Sequence, residues 1–147
     1  MTCSLKQTFE KYNLRYGGVP MAKILVIDDD PQVLKLMVAY LTRDGHDITT
    51  AGDGKQGIRQ LETGQFDLVI TDIVMPEQDG LGVLMWLKTQ PTRPKIIAIS
   101  GGSVSLDQDL LLKMASFSAD RVLAKPVDFG TLTGAVREVL LGVTGQT

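Results

Sequence analysis

The sequence predicts an α/β protein with a parallel sheet covered by helices on both faces. Short apolar runs of strand length alternate with helical patterns through five strand-and-helix pairs after residue 21. The first and third runs are typical of strands buried on both faces, as parallel strands are. With 147 residues, of which 44% are hydrophobic and 22% charged, the chain is long enough to bury the core of one domain.

The first three strands and two helices follow from these runs and from the residues between them. Asp30 and Pro31 predict a helix N-cap followed by a proline at the first helical position. The second strand is polar, which favours the edge of a sheet, and Asp53 is expected to cap the next helix. The strands are predicted at residues 24–27, 47–51 and 68–71, and the helices run from Pro31 to Gly45 and from Asp53 to Gly64.

The second half of the chain repeats the pattern. Asp79-Gly80 precedes an amphipathic helix, and Pro91 and Pro94 break the chain after it. Two strands are predicted at residues 95–100 and 121–124. The last two helices are expected near residues 105–116 and 129–141.

Composition excludes several classes of function. A formal net charge of −2 gives no broad basic field, so direct binding of nucleic acid is not expected. No apolar run approaches the roughly 18 residues of a membrane span, which predicts a cytoplasmic protein without a membrane partner. Cys3 is the only cysteine, which excludes an intramolecular disulfide.

Residues 1–20 are interpreted as an N-terminal extension, followed by one domain at residues 21–147. The segment holds three basic residues and one acidic residue, a net charge of +2, and Met21 after it resembles a natural start. The extension is interpreted as upstream sequence, a misplaced start codon or a vector remnant. A flexible arm is the simpler interpretation. A short partner-binding helix is the alternative, since apolar residues recur at helical spacing at Leu5, Phe9, Tyr12 and Tyr16.

Charged residues follow three of the predicted strands. Asp28 and Asp29 come after the first strand, Asp72 after the third and Lys125 after the fifth. Because parallel strands end at one edge of a sheet, these side chains are expected to converge in one crevice. Carboxylates there suit Mg²⁺, and the lysine ammonium can hold a phosphate oxygen. Asp72 is the candidate to attack a phosphoryl group, which the Ser100 hydroxyl could also contact.

Four motifs on these elements resemble the receiver domain of two-component response regulators. They are residues 24–31 (ILVIDDDP), 67–76 with 79–80 (DLVITDIVMP and DG), 96–101 (IIAISG) and 123–126 (LAKP). The resemblance covers residues 22–141 and implies a flavodoxin-like fold with five helices and strand order 2-1-3-4-5. It implies Asp72 as the phosphoacceptor, with Mg²⁺ held by Asp28, Asp29, Asp72 and the backbone carbonyl of Val74.

The same resemblance implies Ser100 as the switch hydroxyl and Lys125 as the phosphate-binding lysine. Structural positions at the site are implied for Pro76, Gly80, Gly101 and Pro126. A histidine kinase or a histidine phosphotransfer protein would supply the phosphoryl group. The chain ends at Thr147, soon after the last predicted helix, so we expect a stand-alone receiver that signals by contact with an unidentified downstream protein. It is expected to be a phosphoacceptor domain and not an enzyme.

Three positions depart from the family pattern. Val122 stands where an aromatic residue commonly couples to the switch hydroxyl, which puts that coupling in doubt. Val74 and Gly102 stand at positions that tune hydrolysis of the acyl phosphate, and neither side chain can orient a water molecule. The phosphorylated form is therefore expected to decay slowly without a phosphatase, and a lifetime of seconds would contradict this expectation.

Two other interpretations stay open at this point. The run Gly52-Asp53-Gly54-Lys55-Gln56-Gly57 matches the G-x-G-x-x-G pattern of dinucleotide-binding enzymes, although it follows a polar strand and carries an acid that would repel a pyrophosphate. A receiver-like fold that only binds partners is the second alternative, but it should lack one of the key acids or the lysine. His46, the only histidine, is expected on the surface in the turn before the second strand.

Overall fold

The computed structural model describes residues 21–73, 80–100 and 119–142, and these contain five strands and four helices. The strands are β1 Lys23–Ile27, β2 Asp47–Ala51, β3 Leu68–Asp72, β4 Lys95–Ser100 and β5 Arg121–Ala124. The helices are α1 Pro31–Arg43, α2 Gly54–Thr63, α3 Gly80–Lys88 and α4 Phe129–Leu140. None of the described helices combines the length and apolar character needed to cross a bilayer. The helix predicted near residues 105–116 falls outside the described residues and stays a prediction.

All five strands are parallel and lie in the order β2-β1-β3-β4-β5. This confirms the expected order and the expected edge position of the polar strand β2. The chain starts near the middle of the sheet, moves out to β2 and then crosses back over β1 to β3. That reversal places the carboxyl ends of β1 and β3 side by side, which is the usual place for a ligand site in such sheets.

Side chains that alternate along the strands fill two apolar layers. On one face, Ile24, Val26 and Ile70 pack in the cluster completed by α1 and α4. On the other face, Leu25 and Val69 pack in the cluster completed by α2 and α3. Each central strand is therefore buried on both sides, and this explains why its sequence is apolar without alternation.

Aspartates cap three of the four described helices. The carboxylates of Asp30, Asp53 and Asp128 accept hydrogen bonds from backbone N–H groups in the first turns of α1, α2 and α4. The caps predicted at Asp30 and Asp53 are thus present. Helix α1 ends at Arg43, two residues before Gly45, which has a φ of 94° that favours glycine.

Polar side chains close the start of the sheet, which we call the amino edge. Asp67 Oδ2 accepts the Lys23 N–H at 3.0 Å, and Asp120 Oδ2 accepts the Ile96 N–H at 2.8 Å. His46 Nδ1 accepts the Ala22 N–H at 3.1 Å, and only 4% of His46 is exposed. The prediction of a surface histidine is therefore wrong. The backbone at the start of β1 needs an acceptor, and the imidazole beside it supplies one.

Candidate functional site

Three strands bring the predicted acids and lysine together at the opposite end of the sheet, which we call the carboxyl edge. Asp28 follows β1, Asp72 is the last residue of β3, and Lys125 follows β5. Asp28 is 1% exposed and Asp72 is 3% exposed, whereas Asp29 is exposed to solvent. The site therefore has a buried floor with one acid at its rim.

Lys125 spans the carboxyl edge and contacts both buried acids. Its Nζ lies 2.6 Å from Asp72 Oδ2 and 3.5 Å from Asp28 Oδ2. The backbone N–H of Lys125 donates to the Ser100 carbonyl at 2.9 Å, which extends the pairing of β4 with β5 up to the lysine. The peptide bond from Lys125 to Pro126 is cis. The sheet thus fixes the backbone from which the Lys125 side chain reaches Asp72.

The three carboxylates crowd one another. One oxygen from each of Asp28, Asp29 and Asp72 can be chosen so that all lie within 4.8 Å of one another. Asp28 Oδ1 accepts the Asp30 N–H at 2.9 Å, while its buried Oδ2 accepts no hydrogen bond within the part of the chain that the structure describes. The Lys125 ammonium, 3.5 Å away, compensates this buried oxygen only in part, so the atom is well placed to bind a further cation.

Burial and neighbouring charges shift two pKa values at the site. Burial raises the pKa of Asp28 above its ordinary value, and the nearby charges of Asp72 and Asp29 act in the same direction. The Asp30 N–H and the Lys125 charge oppose that rise without cancelling it. For Lys125, burial alone would lower the pKa, but hydrogen bonding and charge attraction from Asp72, with a smaller part from Asp28, give a net rise. The lysine is firmly cationic, and the positive charge near Asp28 does not offset the cost of burying that carboxylate.

This donor set fits a magnesium ion. Mg²⁺ prefers carboxylate oxygens and keeps several waters, so one or two buried carboxylates with an acid at the rim suit it. Cysteine and histidine are absent from the cluster, which disfavours softer metals there. The crowding of negative charge, the incompletely compensated Oδ2 of Asp28 and the exposed rim all favour a small divalent cation.

Two hydroxyl groups lie near the same edge. The Ser100 hydroxyl, at the end of β4, lies 3.4 Å from the Leu123 carbonyl oxygen. Thr71 was not singled out from the sequence, yet its buried hydroxyl donates to the Asp72 carbonyl at 3.0 Å. A hydroxyl directly before the acid in an otherwise apolar strand is the signal that could have indicated this role. Thr71 therefore helps to fix the backbone that carries the candidate phosphoacceptor.

The other predicted site positions are placed only in part. Gly80 begins α3, and Pro126 is exposed beside Lys125. Val122 is half-buried and packs against the apolar cluster on the α2 and α3 face. The predicted contributions of three further positions lie outside the described residues, namely Val74, Pro76 and Gly101.

The geometry gives no support to a dinucleotide site at Gly52 to Gly57. This loop follows the edge strand β2, and the Asp53 carboxylate occupies the start of α2 by accepting the Gln56 N–H at 2.8 Å. A Cβ at Gly57 would collide with the Ile27 side chain. The last glycine is therefore explained by the close packing of α2 on β1, and the helix N-terminus already has its anionic partner.

Comparison with known proteins agrees with this geometry. A family model described as the response regulator receiver domain matches residues 24–137. The chain is 38% identical over 120 residues to the transcriptional regulatory protein GlrR of Escherichia coli strain K12, and the match covers 81% of this chain and 26% of that protein. It is 36% identical over 121 residues to the probable chemotaxis protein CheY of Rhizobium etli, covering 80% of this chain and 91% of that protein. The chain spans about a quarter to a half of the transcriptional regulators that it matches.

Solved structures show the same fold. TrrA of Thermotoga maritima, described as wild type in complex with Mg²⁺ and BeF, is 32% identical with a TM-score of 0.69, and the match covers 81% of this chain and 99% of that one. A response regulator receiver domain protein from Clostridium thermocellum is 31% identical with a TM-score of 0.72, covering 83% and 96%. The family match spans most of the chain, and the acids and lysine converge as the family motifs require. This chain belongs to the response regulator receiver domain family.

Proposed function

We propose that this chain accepts a phosphoryl group on Asp72 in a magnesium-dependent reaction. The observation that carries the proposal is the ammonium of Lys125, 2.6 Å from Asp72 Oδ2, beside a buried cluster of acids. A lysine at this distance from Asp72 can donate hydrogen bonds to the phosphoryl oxygens as negative charge develops on them. The same lysine also keeps Asp72 in place before the reaction.

The proposed step forms one bond and breaks one bond. A carboxylate oxygen of Asp72 attacks the phosphorus of a phosphohistidine, and an acyl phosphate bond forms as the phosphorus–nitrogen bond of the donor breaks. The electron pair returns to the donor imidazole, which then takes a proton. Lys125 offers a donor to the transferring oxygens, and the hydroxyl of Ser100 is proposed to bind a phosphoryl oxygen of the product.

Asp28, Asp29 and Asp72 would hold the magnesium ion, with the Val74 backbone carbonyl as a further proposed ligand. When bound, Mg²⁺ supplies positive charge that neutralises the phosphoryl oxygens and relieves repulsion among the acids. The donor set in this chain supports this role, and TrrA, a family member, is described as a complex with Mg²⁺ and BeF. Asp28 is the residue best prepared for the ion, because its Oδ2 accepts no hydrogen bond from the residues that the structure describes.

We propose a histidine kinase or histidine phosphotransfer protein as the donor, and an unidentified protein as the downstream target. The reaction would take place in the cytoplasm and would modify the protein itself, so the chain is proposed to act as a signalling switch and not as an enzyme. Action as a stand-alone receiver is supported by the match to the probable chemotaxis protein CheY, which covers 91% of that protein.

Intact mass after incubation with acetyl phosphate and Mg²⁺ tests the proposal. The unmodified sequence should gain the mass of one phosphoryl group, and Asp72→Asn should gain none. Asp120→Asn is the matched control, because it changes an aspartate of the amino edge without touching the site. Mass is a better readout than fluorescence, since Trp86 lies at the amino edge, at the other end of the sheet from Asp72.

Two outcomes would contradict the proposal. Equal labelling of Asp72→Asn would show that another residue is the acceptor. Absence of labelling in the folded, unmodified protein would indicate a receiver fold that only binds partners.

A further inference from the structure

A half-open cavity of about 610 Å³ lies at the amino edge, at the far end of the sheet from the carboxylate site. It opens between the last turns of α2 and α3 and the start of β1 and β4. Leu61, Phe66, Trp86 and Leu87 supply apolar surface in it, and Lys23, Asp67 and Arg93 supply charge. None of these residues belongs to the proposed phosphorylation chemistry.

The apolar floor of the cavity is continuous with the protein core. Leu87 is fully buried, while Leu61, Phe66 and Trp86 are partly buried and pack against the cluster on that face. The Lys23 ammonium lies 5.4 Å from the centre of the Phe66 ring, so this cation already covers one aromatic face. The remaining surface suits aliphatic and aromatic side chains whose polar ends can reach water.

We propose that residues 5–16 of the same chain bind in this cavity. The family match starts at residue 24, so residues 1–20 are an addition to the shared receiver pattern. Within them, Leu5, Phe9, Tyr12 and Tyr16 are spaced by four, three and four positions. That spacing puts one leucine and three aromatic residues on one face of a helix, and the tyrosine hydroxyls suit the polar rim.

Connectivity singles out this segment over other occupants. Pro20 is only three positions before Lys23, which lines the cavity. The four residues 17–20 span about 11 Å as a flexible linker, enough to turn the segment back onto the edge from which it leaves. With an effective concentration on the order of 1 mM, a contact with a dissociation constant of about 0.1 mM would be closed in about nine-tenths of the molecules.

Electrostatic attraction makes a smaller contribution to the binding of residues 5–16 in the cavity. The segment carries a net +2, and the negative ends of the α2 and α3 dipoles flank the cavity together with Asp67. Lys23 and Arg93 line the same cavity, which offsets part of that attraction. Polar atoms make up more than half of the accessible lining, so we assign the binding to apolar contacts together with hydrogen bonds from the tyrosine hydroxyls. Such binding should persist in moderate salt.

Trp86 is the only tryptophan in the chain, so its fluorescence reports on this cavity alone. The test uses the full chain, without phosphodonor or Mg²⁺, and measures acrylamide quenching and the emission maximum. Leu5→Ser combined with Phe9→Ser should raise the quenching constant about twofold and shift emission to the red, because the contact is lost in nearly all molecules. Leu14→Ser is the matched control, since it removes a leucine from the opposite side of the same helical pattern and should change neither value.

The possible results of the quenching experiment distinguish residues 5–16 from a second copy of the chain as the occupant of the cavity. Equal quenching in the unmodified chain, the double variant and the control would overturn the proposal. Protection of Trp86 that disappears on dilution, with a dimer seen by light scattering at high concentration, would assign the cavity to a second copy and would also overturn it. Protection that is independent of concentration and sensitive only to the Leu5 and Phe9 changes would support it.

Discussion

The two ends of the sheet use the same kinds of residues in opposite ways. At the amino edge, His46, Asp67 and Asp120 each accept a backbone N–H at or just before the start of a strand. At the carboxyl edge, Asp28 and Asp72 are buried together with Asp29 at the rim, and one Asp28 oxygen accepts no hydrogen bond within the described residues. The polar groups of the amino edge are spread out and each accepts a backbone donor, although the buried Nε2 of His46 has no hydrogen-bond partner among the described residues. The acids of the carboxyl edge are concentrated in one cluster.

This difference separates stability from function. A carboxylate that accepts a hydrogen bond from a backbone N–H stabilises the fold, because that N–H partly compensates its negative charge. Carboxylates that crowd a buried site repel one another and are retained in spite of that cost, which is common at functional sites. The lysine relieves only part of the repulsion, since the pKa of Asp28 still lies above its ordinary value through burial and neighbouring acids.

The largest effect is expected from Lys125→Met. Loss of the ammonium beside Asp72 should slow labelling by acetyl phosphate by about 10²- to 10³-fold, the usual loss when one donor to a developing negative charge is removed. Lys23→Met at the amino edge is the matched control and should label at the normal rate. Intact mass measured over time gives the labelling rates. Similar rates for Lys125→Met and Lys23→Met would contradict the prediction that the carboxyl edge, and not the amino edge, takes part in labelling.

Magnesium should stabilise the protein through the carboxyl edge only. At a concentration about 100 times its dissociation constant, the ion should raise the free energy of unfolding by about 2.7 kcal/mol. Urea unfolding with and without Mg²⁺ measures this increment. Asp28→Asn should lose most of it, while Asp67→Asn should keep it, and an undiminished increment in Asp28→Asn would rule out Asp28 as a ligand.

At the amino edge, His46→Ala should lower the free energy of unfolding by about 1–3 kcal/mol, because the Ala22 N–H loses its acceptor. Burial lowers the pKa of His46 below its ordinary value of 6.5, with Arg137 acting in the same direction and Asp44 opposing both. The unfolded chain therefore takes up the proton first as the pH falls. Stability should decrease as the pH drops below 6.5 toward the lower pKa of the folded state, and should level off below it.

Urea unfolding across that pH range, compared with His46→Gln, isolates this contribution. The glutamine carbonyl can accept the same N–H and does not titrate, so the pH dependence in this interval should weaken in the variant. An unchanged profile would assign the dependence to other groups.

The smallest effect has the opposite sign. Without Mg²⁺ at neutral pH, Asp28→Asn should raise the free energy of unfolding by up to about 1 kcal/mol, as removal of a strained functional group often does. Because the pKa of Asp28 in the folded state lies above its ordinary value of 3.8, this group costs stability as the pH rises from 3.8 toward the raised pKa, and the cost is fully present above it. The asparagine carbonyl can still accept the Asp30 N–H. A loss of stability would show that the carboxyl edge is balanced like the amino edge.

Most of the fold and the centre of the site could be predicted, because they depend on strong local patterns. A strand buried on both faces is apolar throughout, so β1 and β3 stand out, and the topology then brings Asp28, Asp72 and Lys125 together. The prediction that these distant residues meet in one site required no knowledge of side-chain contacts.

The amino edge could not be predicted in the same way. Burial of His46 depends on a backbone donor 24 positions away, which no periodicity shows. The roles of Asp67 and Asp120 leave a faint trace, since each directly precedes a strand, β3 and β5. A polar residue before a strand is also common in loops, so the pattern acquires meaning only once the neighbouring strand is known.

The distance along the chain between the parts of the site has a consequence for protein synthesis. Asp72 and Lys125 are 53 positions apart and meet only when β5 has joined the sheet beside β4. When Asp72 has emerged from the ribosome but Lys125 has not, the nascent chain contains Asp72 without the ammonium that pairs with it. On the proposed function, such a nascent chain should be a poor acceptor for any phosphodonor, and phosphorylation should be confined to molecules in which β5 has joined the sheet.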